Sequence, residues 1–252
     1  MNSIAKFLSQ YAAVILAAGS SSARCEKTVY RMAKKFGVEV GITILPRSVM
    51  VSVKEIGSDN TFTVNQRIPE IGLNFNFISN LSRLSWEVRD TDITLAQAEE
   101  KFNKILEEKR LNTTLVTILT GFANASFCRL FGGDWMAMLL VFIATVNGFW
   151  LKNALHKTWH WDMRMAILIA ACSSSIIASC GFLLNITQTP DIALGTSVLY
   201  LIPGIPYINS VSDLIHGHLL CSVSRFINAS IITICLGIGL SLGILIMNIH
   251  YF

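Results

Sequence analysis

The chain has 252 residues, 52% of them hydrophobic and 14% charged, with a net charge of +4. Residues 1–110 hold 15 of the 20 Lys and Arg and 12 of the 16 Asp and Glu, so 5 basic and 4 acidic residues serve all of 111–252. A soluble surface carries about 25% charge, which excludes 111–252 as an ordinary water-facing domain. No basic run is interleaved with aromatics, which excludes a nucleic-acid footprint.

In chain order, Ser3–Ala18 and Ser22–Phe36 read as helices. Ser20, Ser21 and Ser22 are capping candidates for the second, and Gly37 stands where a left-handed residue closes it. The short apolar run Ala12–Ala18 is not a secretory signal, because the charged stretch through Arg24, Glu26 and Lys35 continues it as an amphipathic helix. Val38–Leu45, Val49–Glu55 and Thr61–Gln66 are rich in Val, Ile, Thr and Phe, with a turn at Gly57-Ser58-Asp59-Asn60. They predict a small antiparallel meander. Phe77–Arg89 and a helix from the capping box Thr94-x-x-Gln97 to about Arg110 complete an α+β domain over 1–110. No His lies before residue 111, and Gly19-Ser20-Ser21-Ser22 lacks the downstream Gly-Lys-Ser/Thr of a phosphate loop. The expectation is a regulatory or structural cytoplasmic cap rather than an enzyme, with no cofactor. Cys25, Cys128, Cys172, Cys180, Cys221 and Cys235 form no C-x-x-C pair and sit mostly in apolar runs, so packed thiols are expected over a metal site.

A span needs about 20 mostly apolar residues, and on that measure 111–252 predicts a bundle of about five, over 113–131, 135–151, 164–184, 193–215 and 226–249. Lys152, Lys157, Arg164 and Arg225 lie by one set of loops; the turn at 132–134, the loop at 185–192 and the tail at 250–252 carry no Lys or Arg. That asymmetry places the first domain and the basic loops in the cytoplasm and the C-terminus outside. Small residues at four-residue spacing, Ala171/Ser175/Ser179, Gly237/Ser241 and Gly239/Gly243, predict close helix packing, with the Gly239/Gly243 face as a docking surface for a partner.

The fourth span is interrupted by Pro203-Gly204-Ile205-Pro206. Each proline removes an N–H and clashes with the preceding turn, so the helix breaks there. In lipid such a break persists only where it faces protein or water, and discontinuous helices form substrate sites in transporters. The candidate substrate-binding residues are therefore Pro203, Gly204, Asn209, Ser210 and Asp213, with Asp213 and His216 as proton-coupling candidates because Asn209, Asp213 and His216 share one helical face. Asp213 also reads as a hydrated helix cap at the cytoplasmic end. Arg129 either snorkels or binds a carboxylate, and Asp134 is either a turn residue or a ligand.

Four stretches carry a resemblance to a family. Ala18-Gly19-Ser20-Ser21-Ser22-Ala23-Arg24-Cys25-Glu26, Thr94–Ile105, Gly121–Trp135 ending Leu-Phe-Gly-Gly-Asp-Trp, and Leu201-Ile202-Pro203-Gly204 through Asn209–Gly217 resemble, in order and spacing, the threonine/serine exporters, in particular their split two-subunit branch that includes succinate exporter subunits. Cys25 stands where that family has a small aliphatic residue. The resemblance implies proton-linked export across a bacterial inner membrane. It also implies a second small membrane subunit, since single-chain members have a second membrane half that this chain lacks. The expected partners are thus a small-molecule substrate, that subunit and the lipid bilayer. A zwitterionic amino acid would suit Asp213 with a half-helix N-terminus, whereas a dicarboxylate would call on Arg129 or protonated His216 or His218. The alternative from another class is a membrane-anchored sensor whose cytoplasmic domain does the work; it leaves the Pro-Gly-x-Pro break unexplained.

Overall fold

The computed structural model describes residues 1–57, 60–108 and 111–249. The expected turn at Ser58-Asp59, the end of the Thr94 helix at Arg110 and the C-terminal tail lie outside the described residues. The chain is mostly helical, with one small sheet, and divides into two compact units: Met1–Lys109 with Gly204–Ile227, and Arg110–Pro203 with Asn228–Phe252. The first unit thus takes in a segment that the sequence reading placed in the membrane half.

In the first unit, α1 (Asn2–Ala17) and α2 (Ser22–Lys35) precede strands β1 (Val38–Ile44), β2 (Ser48–Glu55) and β3 (Thr61–Arg67), followed by α3 (Phe75–Asp90) and α4 (Leu95–Glu107). The three strands form an antiparallel sheet in the order β1-β2-β3, with Val51 paired to Ile42 on one side and Val64 on the other. Alternation does the sorting: Val49, Val51 and Val53 point into the core while Ser52 turns outward and bonds Thr63. Against those valines pack Phe7, Leu8, Tyr11 and Ile15 of α1, Met32 of α2, Leu81 and Val88 of α3 and Phe102 of α4. The Tyr11 hydroxyl donates to the Leu81 carbonyl at 2.8 Å, so the buried phenol is satisfied, and burial pushes its pKa up. The helix signals read from sequence are present: Ser21 caps α2, Gly37 has φ +65° after it, and Thr94 and Gln97 form a reciprocal capping box on α4.

The second unit reverses the sorting. Its helices are α5 (Thr113–Leu130), α6 (Trp135–Asn153, continued by a π-helical turn Ala154–Thr158), α7 (Met163–Leu183) and the short α8 (Pro190–Thr196). Small and polar side chains lie inside, Ala137, Ala144, Thr145 and Gly148 of α6 and Ala170, Ser174 and Ser175 of α7 among them. Leu119, Phe122, Leu139 and Trp150 face outward. Such an inside-out distribution suits a hydrocarbon surround.

After α8 the chain passes through a 3₁₀ turn, Leu199–Leu201, into α9 (Gly204–Ile215) and then α10 (Leu219–Ile246). The helix break is at Ile202-Pro203, where Ile202 is extended at φ −64°, ψ 126°. Pro206 lies in the first turn of α9, where its missing N–H has no carbonyl to serve, so one proline breaks the helix rather than two.

Among the described residues, three helices are long and apolar enough to cross a membrane: Trp135–Thr158, Met163–Leu183 and Leu219–Ile246. A fourth span arises if the bent pair Pro190–Leu201 and Gly204–Ile215 is counted as one. The expected span over 113–131 is an 18-residue helix, but Asn124, Arg129 and four threonines leave it outside that group. Gly239 and Gly243 of α10 are already occupied within the second unit. A Cβ at Gly239 would strike the Leu168 carbonyl and Ala171, and one at Gly243 would strike Ser175. The expectation that this face is free for a partner is therefore corrected: it is the α7–α10 seam.

Candidate functional site

The candidate residues fall into two places, one in each unit. In the first unit, α9 and the start of α10 form a hairpin around Gly217, whose φ of +84° makes the turn possible without strain. The hairpin faces the loop Gly19–Ser22 and the N-terminus of α2. Asp213 is fully buried. Its Oδ1 accepts from the Ser22 backbone N–H at 2.9 Å, its Oδ2 accepts from the Ser22 hydroxyl at 3.1 Å, and Arg225 Nε stands 3.3 Å from Oδ2. The positive end of the α2 dipole, a backbone donor, a hydroxyl and a guanidinium thus all meet one carboxylate, the set that makes a buried anion tolerable.

The neighbours extend the same seam. Asn209 Nδ2 donates to the Gly19 carbonyl at 2.8 Å, Arg225 Nη2 to the Ser20 carbonyl at 3.1 Å, and Cys221 Sγ to the Ile44 carbonyl at 3.4 Å. Ser210 donates to the Ser222 carbonyl across the hairpin at 2.9 Å. His218 Nε2 lies 3.5 Å from Glu26, and its ring nitrogen is buried without a closer partner. Asn209, Ser210 and Asp213 are therefore brought together on the buried side of α9. His216 is not: it is exposed, with Nδ1 against the Ser212 carbonyl at 2.7 Å. Helical spacing puts it near their face, and its N–H still bonds the Ser212 carbonyl at 3.2 Å one residue past the end of α9, but its side chain is not covered. Pro203 is buried at the break, whereas Gly204 is half-buried with nothing within 4 Å of where a side chain would begin.

In the second unit, Asp134 caps α6. Its Oδ1 accepts from Ala137 N at 2.6 Å and from Thr187 Oγ1 at 2.7 Å, and its Oδ2 accepts from Gln188 N at 2.8 Å. The Ala137 and Gln188 N–H groups and the Thr187 hydroxyl hold this carboxyl below its usual range. The arrangement is that of a turn residue tying 132–134 to 187–189. Arg129 donates to the Gly133 carbonyl at 3.1 Å and lies over the Trp135 ring at 5.5 Å.

A further polar group sits where the chain is broken. Asn124 Nδ2 donates to Thr145 Oγ1 at 2.6 Å and to the Thr196 carbonyl at 3.1 Å. Ser174 donates to the Ala144 carbonyl at 3.0 Å, and its oxygen lies 3.0 Å from the Tyr200 hydroxyl, which fills the space left open by Gly148. Beside Asn124 and Tyr200, an apolar cavity of about 430 Å³ is lined by Thr120, Phe127, Leu199 and Ile202 among others.

Sequence reasoning named none of Ser22, Arg225, Asn124, Thr145 or Ser174 as site residues. Arg225 carries a signal, a cation beside an apolar stretch, which reads equally as a topology mark. Asn124 carried one as an amide inside a candidate span. All six cysteines are free, and no cluster of His, Cys, Asp and Glu able to hold a metal ion occurs among the described residues.

These features can be set beside known proteins. No solved structure matches the chain. Among curated proteins it is similar to "Probable succinate transporter subunit YjjP" of Klebsiella aerogenes, at 24% identity over 241 residues covering 92% of this chain and 90% of that one. It is likewise similar to the protein of the same name from Escherichia coli, at 25% identity over 236 residues, 91% of this chain and 90% of that one. The family model "Putative threonine/serine exporter" matches residues 6–247, spanning the clamp around Asp213, the broken helix and the small-residue bundle alike; the chain belongs to the threonine/serine exporter family.

Proposed function

We propose that the chain is the larger membrane subunit of a secondary exporter that moves a small amino acid such as serine or threonine, or a dicarboxylate such as succinate, out of the cell by a proton-linked mechanism together with a second, small membrane subunit. The observation that carries this reading is the broken helix in the apolar unit, where the Thr196 carbonyl at the end of α8 is met by the Asn124 amide instead of by its own helix. An anchor has no use for such a break, whereas a path for a polar solute needs freed carbonyls and buried amides within hydrocarbon. The names of the relatives favour a dicarboxylate and a two-subunit assembly.

In this reading Asp213, held by Ser22 and Arg225, is the proton-linked carboxylate. Pro203 and Gly204 form the flexible break, and Asn209 and Ser210 complete the polar side of α9. Arg129 and Asp134 organise the turn before α6. In the same reading the protein lies in the bacterial inner membrane with the N-terminus and the loop 153–160 in the cytoplasm and the C-terminus outside, as the Lys and Arg asymmetry of the loops suggests.

The test is efflux of radiolabelled serine, threonine and succinate from cells expressing this chain with and without its small membrane partner. Efflux of one of the three is expected only when both are present. Asp213→Asn keeps the shape and part of the capping but loses the charge-assisted bonds, about 1.5–3 kcal/mol, so export should fall tenfold or more at matched membrane levels. Efflux within twofold of wild type would remove Asp213 from the mechanism and leave the α8 break as the site to probe.

A further inference from the structure

Two properties of the hairpin 209–225 stand out. It is sorted against the usual sense: Ser210 and Asp213 are buried and Asn209 half-buried, while Val211, Leu214, Ile215, Leu220 and Val223 are more than half exposed. It is jointed before its start and at its turn. Pro203 breaks the chain before it, Gly204 has open space around it, and Gly217 makes the turn at φ +84°, again with nothing within 4 Å. A helix that is apolar outward and polar inward is seated by its polar bonds rather than by hydrophobic burial. The pairs described above, Asp213 with Ser22 and Arg225, Asn209 with Gly19 and Arg225 with Ser20, constitute that seat. Directional bonds of this kind are made or lost together, because freeing one partner leaves a buried charge unmatched. By chain connection the same hairpin runs from the broken stretch at Pro203 into the remainder of α10.

We propose that the hairpin is a latch, closed on the Gly19–Ser22 loop with Asp213 as its bolt, and that it opens and closes during transport. Opening swings Asp213 off the α2 N-terminus at the Gly204 and Gly217 joints and exposes Cys221, which the closed latch buries against Ile44. The two-state element is local and needs no unfolding of the sheet and helices beneath it.

Cys221 is a native reporter, and Cys25, fully buried in α2 of the same unit, is its internal control. Full-length protein in membranes is pulse-alkylated with N-ethylmaleimide, and labelling of each cysteine is read by peptide mass spectrometry. Asp213→Asn and Arg225→Gln should each raise the alkylation rate of Cys221 at least tenfold while Cys25 stays protected. If neither thiol gains reactivity, or if both gain it together, the seam is a fixed part of the core and the latch is wrong.

A second arm rests on the export reading. In cells that hold both subunits, loading with serine, threonine or succinate should change Cys221 labelling at least threefold for the solute exported. A solute that is exported without any change in labelling overturns the link to transport. Absence of efflux of all three overturns the export reading instead, and leaves the first arm to judge the latch.

Discussion

A carboxylate placed at the start of a helix can act as an ion or as a cap, and Asp213 and Asp134 divide along that line. Asp213 has a guanidinium beside it and no exposure. Asp134 has only N–H and hydroxyl donors, one of them at the start of its own helix, and these hold its pKa down. A carboxyl with a folded pKa below its unfolded value contributes stability that is present above the unfolded value and lost as pH falls through the folded one. The join between 132–134 and 187–189 should therefore weaken on acidification below about pH 4, the ordinary carboxyl range. Thermal denaturation of detergent-solubilised protein at stepped pH checks this. The acid limb should flatten in Asp134→Asn, which keeps the cap but does not titrate, and an unchanged limb would place the acid sensitivity elsewhere.

Among the elements, α10 offers an internal comparison. Gly239 and Gly243 press against the carbonyls and small side chains of α7, whereas Gly237, two residues away, has nothing within 4 Å. Gly239→Leu should overpack the seam at a cost of about 1–3 kcal/mol and lower the amount of folded protein in the membrane. Gly237→Leu should leave it near wild type. Immunoblots of membrane fractions and size-exclusion profiles in detergent decide the matter; equal behaviour of the two would mean that α7 and α10 do not pack through these glycines.

Elements of this kind were legible in the sequence because their causes are local. Thr94 and Gln97 are three residues apart, Gly37 directly follows its helix, and Val49, Val51 and Val53 alternate within one strand. The Pro203 break was equally local. What escaped was the partner of Asp213, because Ser22 lies 191 residues earlier and a serine at a helix start reads as a cap for its own helix. The sorting of α9 escaped for a related reason. Its apolar residues made it look like part of a span, and nothing in its periodicity tells which face has a protein behind it. The exposure of His216, one residue past the end of α9, escaped in the same way, since spacing fixes a face but not what covers it.

At the scale of the whole molecule, the proposed orientation rests on Lys152, Lys157, Arg164 and Arg225. Of these, Arg225 has a second explanation in its bond to Asp213, so the asymmetry stands on three cations rather than four. A reporter placed within 153–160 is expected to read the cytoplasm, and one fused after Phe252 the outside. A cytoplasmic reading at Phe252 would mean that the bent pair Pro190–Leu201 and Gly204–Ile215 enters the bilayer and returns, giving an even number of crossings.

The discontinuity of the first unit also orders events in time. Residues 1–109 leave the ribosome with α2 capped by Ser21 alone, and the carboxylate that completes the seat for its N-terminus lies 191 residues further on. At about 5–20 residues per second that interval is roughly 10–40 s, during which α5 to α8 are made. The first unit, begun first, therefore cannot be completed until most of the second has been made. Until Asn209, Asp213 and Arg225 have been synthesised, the Gly19–Ser22 loop lacks its partners and stays open to chaperones and proteases, so a chain that stalls before them carries its own mark of incompleteness.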